Sequence, residues 1–74
     1  MARERITRAD LAVRTASLSR RLNGLRVETQ RRNGYVGLDL YDAHGLIETL
    51  KTGTAREVFD YLCAMERALA LVNR

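Results

Sequence analysis

The side chains of this sequence that could take part in molecular recognition are mainly arginines and tyrosines. Guanidinium groups form paired hydrogen bonds with phosphates and carboxylates, while tyrosine rings stack on bases or fill protein interfaces. The sequence therefore predicts a surface for a protein or nucleic-acid partner formed by Arg14, Arg20, Arg21, Arg26, Arg31, Arg32, Tyr35 and Tyr41. A solvated face on which tyrosines cover arginine stems is the alternative.

Groups that enzymes use for catalysis or metal binding are scarce in the sequence. The single histidine, His44, stands beside a glycine in a predicted turn, and the single cysteine, Cys63, lies in a predicted helix. The sequence contains no further histidine or cysteine that could complete a metal-ligand spacing, and it has no glycine-rich phosphate loop. We therefore predict no enzymatic activity, no bound metal and no cofactor.

The whole chain has a net charge of +4, and its basic residues are concentrated in the first part. Residues 1–32 contain nine arginines and three acids, whereas residues 33–74 contain four basic and six acidic residues. We expect the cationic side chains to form one outward-facing contact surface. Changing Arg31 and Arg32 to Glu should then abolish function without affecting folding. A genome-wide preference for arginine codons is the alternative explanation.

Length and composition indicate one globular domain over residues 1–74, with a basic leader over residues 1–6. The chain has 74 residues, of which 46% are hydrophobic, enough for one small core. It has no apolar run that could span a membrane and no signal-peptide pattern at its start. The lone cysteine excludes an internal disulfide. We expect a cytoplasmic protein that does not bind membranes.

Apolar residues at spacings of three and four predict a first helix over residues 8–22. Thr7 and Asp10 have the spacing of an N-terminal cap, and Asn23 with the following glycine provides a stop signal. We expect Asp10 and Arg14 to pair on a solvent-exposed helix face. The buried stripe is predicted to be Leu11, Thr15, Leu18, Leu22 and Leu25.

A second helix is predicted over residues 55–72, because Thr54 and Glu57 have the form of a capping box. Its core stripe would be Val58, Leu62, Met65, Leu69 and Val72. A second, mostly small apolar strip suits helix-to-helix contact in a homodimer: Tyr61, Ala64, Ala68 and Leu71. Glu66 lies within the apolar arc, where pairing with an arginine of the first helix is expected.

The segment between the helices predicts a β-hairpin over residues 25–42. Asn33 and Gly34 form a two-residue turn signal, and this turn places Thr29 opposite Leu38. Glu28 then lies opposite Asp39. We interpret these two carboxylates as a solvated pair beside Arg26, or alternatively as a site for a basic partner.

A third strand is predicted over residues 46–51, after a turn marked by His44 and Gly45. Its alternation is ambiguous, because two sets of residues could face the core: Leu46 and Leu50, or Ile47 and Thr49. The element order is therefore α-β-β-β-α. We predict a two-layer α+β fold in which a three-stranded antiparallel sheet packs against two helices.

This order resembles that of the double-stranded-RNA-binding domain, which contacts RNA through its first helix, a hairpin loop and the start of its second helix. The chain departs from that family at the start of its last helix, where Arg56 is the only basic residue. The resemblance implies a nucleic-acid-binding module. Sequestration of a cyclic nucleotide in a dimer cleft is a further alternative.

The sequence also resembles small accessory proteins encoded by tailed phages and prophages. Three segments carry the resemblance: R-I-T-x-x-D-L (residues 5–11), Leu-Asn (residues 22–23) and G-T-x-R-E (residues 53–57). Residues 42–45 depart from the family pattern, which has a Tyr-Gly-Gly turn there. The resemblance implies a phage accessory protein and brings no assigned activity. Small phage proteins of this kind commonly bind a host factor stoichiometrically. Together with the missing catalytic groups and the polarised charge, this predicts a non-enzymatic inhibitor of a CRISPR-type or other defence complex in the host cytoplasm. Its target would be a host protein, a ribonucleoprotein complex or the nucleic acid within one.

Overall fold

A computed structural model describes residues 6–72 and confirms the predicted α+β fold. One antiparallel sheet has the strand order β1-β2-β3, and both helices pack on the same face of it. The smallest dimension of the molecule is 17 Å, which accommodates two layers. The elements are α1 (Arg8–Arg21), β1 (Arg26–Arg32), β2 (Tyr35–Asp42), β3 (Gly45–Gly53) and α2 (Ala55–Val72). Most of the predicted basic leader lies outside the described residues.

The start of α1 is closed by a capping box between Thr7 and Asp10. The Thr7 hydroxyl accepts from the Asp10 N–H at 3.1 Å, and the Asp10 carboxylate accepts from the Thr7 N–H at 2.8 Å. This second hydrogen bond lowers the pKa of Asp10, because it stabilises the ionised form. The predicted Asp10–Arg14 ion pair is therefore wrong. Asp10 turns back to the cap, and Arg14 bonds to α2 instead.

The start of α2 is closed in the same way, as predicted from Thr54 and Glu57. The Glu57 carboxylate accepts from the Thr54 N–H at 2.8 Å, and this bond lowers the pKa of Glu57. Gly53 is buried beneath the carboxylate, and a Cβ at that position would come within 2.6 Å of Glu57 Oε1. The Gly-Thr-x-Arg-Glu segment therefore combines a cap with the space that its glutamate needs.

The β1–β2 hairpin has the predicted turn and register. Asn33 and Gly34 both have positive φ angles, 48° and 82°, which match the twist of the flanking strands. Thr29 lies opposite Leu38, and Glu28 lies opposite Asp39. The hairpin register therefore follows directly from the two turn residues.

The third strand contains two irregularities that its sequence does not reveal. Leu50 and Ile47 have no partner residue in β2, so each marks a β-bulge in the pairing of β3 with β2. Without the first bulge, Leu50 would face the open side of the sheet opposite Asp39. With it, Leu50 packs against the core and Thr49 lies opposite Asp39. Neither predicted alternation describes the strand fully, because Leu46 and Ile47 are both exposed.

The core lies between the sheet and the two helices. Its buried members are Leu11, Leu18, Val27, Val36, Leu38, Val58 and Leu62. Val72, predicted as core, is 79% exposed, because the apolar stripe of α2 continues beyond the residues that pack on the sheet. Neither α1 nor α2 has the length and apolar character that crossing a bilayer requires.

Candidate functional site

The face of the sheet opposite the helices is the first candidate site, and we call it the open face. Alternation along β1 and β2 places four of the eight predicted partner-binding residues there, together with two acids, and the β2–β3 register adds a threonine of β3. No helix covers them, and Tyr35 is 56% exposed. The residues on which the site depends are Arg26, Arg32, Tyr35, Tyr41, Glu28, Asp39 and Thr49, and the same registers also place Gln30, Gly37, Leu46 and Thr52 on this face.

A fully buried carboxylate lies at the centre of the open face. Asp39 is 0% exposed, because neighbouring side chains cover it on the middle strand. Its Oδ2 accepts from Arg32 Nη2 at 2.8 Å, and its Oδ1 accepts from the Thr49 hydroxyl at 2.7 Å. The prediction of a solvated Glu28–Asp39 pair is therefore wrong for Asp39.

Arg32 reaches Asp39 by passing over Gly37. A Cβ on Gly37 would stand 3.7 Å from Arg32 Nη1, in ordinary van der Waals contact with the guanidinium group. Replacing Arg32 with Glu would bring a second negative charge to the buried Asp39. A variant changed at both Arg31 and Arg32 therefore tests folding as well as binding.

Arg26 forms the second ion pair of the open face. Its Nε lies 2.8 Å from Glu28 Oε2, and its guanidinium carbon lies 4.7 Å from the centre of the Tyr41 ring. This stacking covers part of the ring and leaves the Arg–Tyr pair half-exposed. Each arginine of the open face is thus held in place by an acid.

The arginines of α1 lie in the helical layer, away from the open face. Arg14 Nη1 and Arg21 Nε lie 3.3 Å and 3.8 Å from the Glu66 carboxylate, to which the Ser17 hydroxyl donates at 2.7 Å. The expected pairing of Glu66 with α1 is confirmed. The face predicted to be solvent-exposed instead joins the two helices. Arg20 is exposed and has no ion pair among residues 6–72.

Arg31 lies on the opposite side of β1 from Arg32, because neighbouring residues of a strand point to opposite faces. It lines a cavity with Arg8, at the end of β1 that adjoins the start of α1. The expectation of one outward-facing arginine surface is therefore wrong. Strand alternation and the α1–α2 contact divide the eight residues among the open face, the helical layer and this cavity.

The cavity, which we call the edge cavity, has a volume of about 280 Å³ and is lined by Arg8, Leu11, Thr29, Gln30, Arg31 and Val36. Arg8 belongs to the arginines of the first helix and its leader, which the sequence offers as a binding candidate, but it is not one of the eight residues predicted above. A signal for it exists in the sequence, because α1 and β1 are joined by a tight turn and have similar lengths. Such elements run antiparallel, so the start of the helix meets the end of the strand.

The chain was compared with models of protein families, with curated proteins and with solved structures. None of the three comparisons found a match. The resemblance to phage accessory proteins stays a prediction.

The residues examined as possible catalytic or metal-binding groups are dispersed. Within residues 6–72, no three His, Cys, Asp or Glu side chains come together as a metal site. His44 is exposed in the β2–β3 turn, where its backbone N–H donates to the Asp42 carboxylate at 2.7 Å. Cys63 is half-buried in α2. The absence of enzymatic activity, metal and cofactor stays a prediction.

The strip predicted for dimer contact is divided between core and surface. Ala64 and Ala68 are exposed, and Leu71 is 58% exposed. Tyr61 instead packs partly against the core. Homodimer formation through this strip stays a prediction.

Proposed function

We propose that this chain is a non-enzymatic binding protein that docks on a partner protein through its open face. The observation that supports the proposal is the gathering of Arg26, Arg32, Tyr35 and Tyr41 on one uncovered sheet face. Arginine and tyrosine are enriched among residues that dominate protein interfaces. Ion pairs hold Arg26 and Arg32 in place before binding, which reduces the entropy lost on association.

The charge balance of the open face favours a protein partner over nucleic acid. Arg26 is paired with Glu28, and Arg32 is paired with Asp39. Binding to a nucleic-acid backbone draws its affinity from cations that neutralise phosphates and release counterions. A face whose arginines already have acidic partners has little excess charge to contribute, but it offers aromatic surface and hydrogen bonds to a protein.

The partner class in this proposal comes from the sequence resemblance to phage accessory proteins. The chain would bind a host protein or ribonucleoprotein complex of a CRISPR-type defence system and inhibit it stoichiometrically. Occupation of an interface needs no catalytic group, which is consistent with the dispersed histidine and acidic residues described above. No membrane component is part of the proposal.

The test is inhibition of a defence system in bacteria that express the chain. We expect wild-type protein to restore phage plating on a host with a CRISPR-type system. Tyr35→Ala should weaken binding to the defence complex by about 30-fold, since loss of an interface hot spot costs about 2 kcal/mol. Val13→Ala is the matched control, because Val13 is an exposed apolar residue of α1.

Two outcomes would contradict the proposal. If the wild-type protein does not restore phage plating, the defence complex is not the partner. Equal activity of Tyr35→Ala and Val13→Ala would remove the open face from the interface. The amide NMR spectrum of each variant would confirm that the fold is retained.

A nucleic-acid-binding module is the second candidate, and the edge cavity is the observation that favours it. Arg8 and Arg31 have no ion pair among the described residues, so they could contact phosphates. The family with the similar element order also uses the start of its second helix, but here Arg56 is 3.5 Å from Asp60. Gel shifts on duplex, single-stranded and structured RNA at two salt concentrations test this candidate, and a cyclic nucleotide can be checked by calorimetry.

A further inference from the structure

We infer that the edge cavity is a binding site for a phosphate group. The side chains of Thr29 and Arg31 project from the opposite side of β1 to Arg26 and Arg32, so this inference is independent of the proposed docking function. Arg8 and Arg31 supply guanidinium groups, Thr29 supplies a hydroxyl group, and Leu11 with Val36 provides apolar walls. Arginine forks match the oxygen geometry of phosphate.

The fold brings the two arginines together through matched element lengths. Fourteen residues of α1 rise about 21 Å and seven residues of β1 about 23 Å, and the two elements run antiparallel after a short turn. Near the turn, the Val27 N–H donates to the Ser19 hydroxyl at 3.0 Å. This bond aligns the helix with the strand edge, so Arg8 at the other end comes beside Arg31.

The electrostatics of the cavity distinguish it from the other arginine clusters. Arg14, Arg26 and Arg32 each have a carboxylate within 3.3 Å. Among the described residues that line the edge cavity, two are arginines and none is acidic. Two cations that share a cavity repel each other, and an anion with two negative charges would neutralise both.

The free edge of β1 adds backbone donors to the cavity. The Val27 N–H points away from β2, as its bond to Ser19 shows. Inter-strand hydrogen bonding alternates along an antiparallel strand, so the N–H groups of Thr29 and Arg31 also point away from β2. Sheet edges of this kind form anion-binding concavities together with nearby cations.

Two N–H groups at the start of α1 are not donors to the cavity. The capping box of α1 already occupies the Thr7 and Asp10 N–H groups. The volume of the cavity, about 280 Å³, is slightly below the range for drug-sized ligands, about 300–1,000 Å³. The cavity would therefore take a terminal phosphate with little more than its attached group. The ligand class is a phosphomonoester, carried by a free nucleotide or by the end of a nucleic-acid strand.

The experiment is an amide NMR titration of the full chain at constant ionic strength. Inorganic phosphate, adenosine 5′-monophosphate and a short DNA strand with and without a 5′-phosphate are the probes, and sodium chloride is the reference. We expect saturable shifts of the Thr29 and Arg31 amides with phosphate but not with chloride. Arg31→Gln and Arg8→Gln should each weaken phosphate binding at least about tenfold, since each removes a charge-assisted hydrogen bond.

Arg20→Gln is the matched control, because Arg20 is an exposed arginine of α1 outside the cavity. Its affinity for phosphate should stay within about twofold of wild type. Tighter binding of the nucleotide than of the DNA strand would assign the site to small molecules. Tighter binding of the 5′-phosphorylated strand would assign it to nucleic-acid ends. Shifts that chloride reproduces, no saturation at Thr29 and Arg31, or equal losses in Arg20→Gln and Arg31→Gln would each overturn the inference.

Discussion

Arg31 and Arg32 are neighbours in the sequence but belong to two regions with opposite electrostatics. Arg32 lies on the open face, where it is 2.8 Å from the buried carboxylate of Asp39. Arg31 lies in the edge cavity with Arg8, where none of the described lining residues is acidic. Because neighbouring residues of a strand point to opposite faces, Arg32 stabilises the fold while Arg31 remains available for a ligand.

The difference shows that arginine content alone does not identify a binding surface. Burying a carboxylate costs several kcal/mol unless a cation and hydrogen bonds compensate it. Asp39 therefore holds Arg32 and Thr49 in place, and Glu66 likewise holds arginines of α1. An arginine without such an acid is available to pair with a charged group of a partner.

The largest expected difference between the two regions is in stability. Arg32→Ala should lower the free energy of unfolding by about 2–3 kcal/mol, because it leaves the buried Asp39 without its cation. This is less than the about 3–5 kcal/mol for a fully buried pair, since Arg32 is half-exposed and water can enter. Arg31→Ala should change it by less than about 0.5 kcal/mol. Urea denaturation measures both values, and equal losses would refute the distinction.

A smaller effect is expected where an acid holds the arginines of the helical layer. Glu66→Ala should lower the free energy of unfolding by about 1–2 kcal/mol, which is the net contribution of one or two side-chain hydrogen bonds. The carboxylate is only 12% exposed, but Arg14 and Arg21 are half-exposed and regain water when it is removed. A loss as large as that of Arg32→Ala would show that exposure of the remaining cation makes no difference.

The smallest effect is the acid sensitivity of the edge cavity, which depends on the cap of α1. The pKa of Asp10 is lowered in the folded chain by its bond to the Thr7 N–H. The carboxylate therefore stabilises the fold above its ordinary pKa of 3.8, and this contribution is lost as the pH falls through the lower folded value. Acid should then loosen the first turn of α1, which carries Arg8 and Leu11.

Hydrogen exchange of the Leu11 amide, which donates to the Thr7 carbonyl at 3.2 Å, measures this loosening. Asp10→Asn should remove the acid-dependent part of its protection. A pH profile for Asp10→Asn that matches the wild-type profile would exclude the cap as the cause. Glu57 provides the parallel case in α2, because its pKa is also lowered, from 4.5, by a bond to the Thr54 N–H.

Most of the fold could be predicted from local signals. Both capping boxes, the Asn33–Gly34 turn and the hairpin register depend on residues within a few positions of one another, and all are confirmed. The β3 bulges could not be predicted, because the apolar pattern of the strand permits more than one register. The burial of Asp39 was missed for the same reason, since Thr49 reaches it only through a bulge.

The sequence by itself determined the order of helices and strands, the residues that begin the two helices and the turn and faces of the hairpin. These features depend on hydrogen bonds between near neighbours and on the two-residue period of a strand. Only the tertiary structure decided which arginines pair with Asp39 and Glu66, because these carboxylates meet their partners across the sheet and between the helices. Charge pairing depends on distance in space, and the sequence specifies that distance only after the layers have packed.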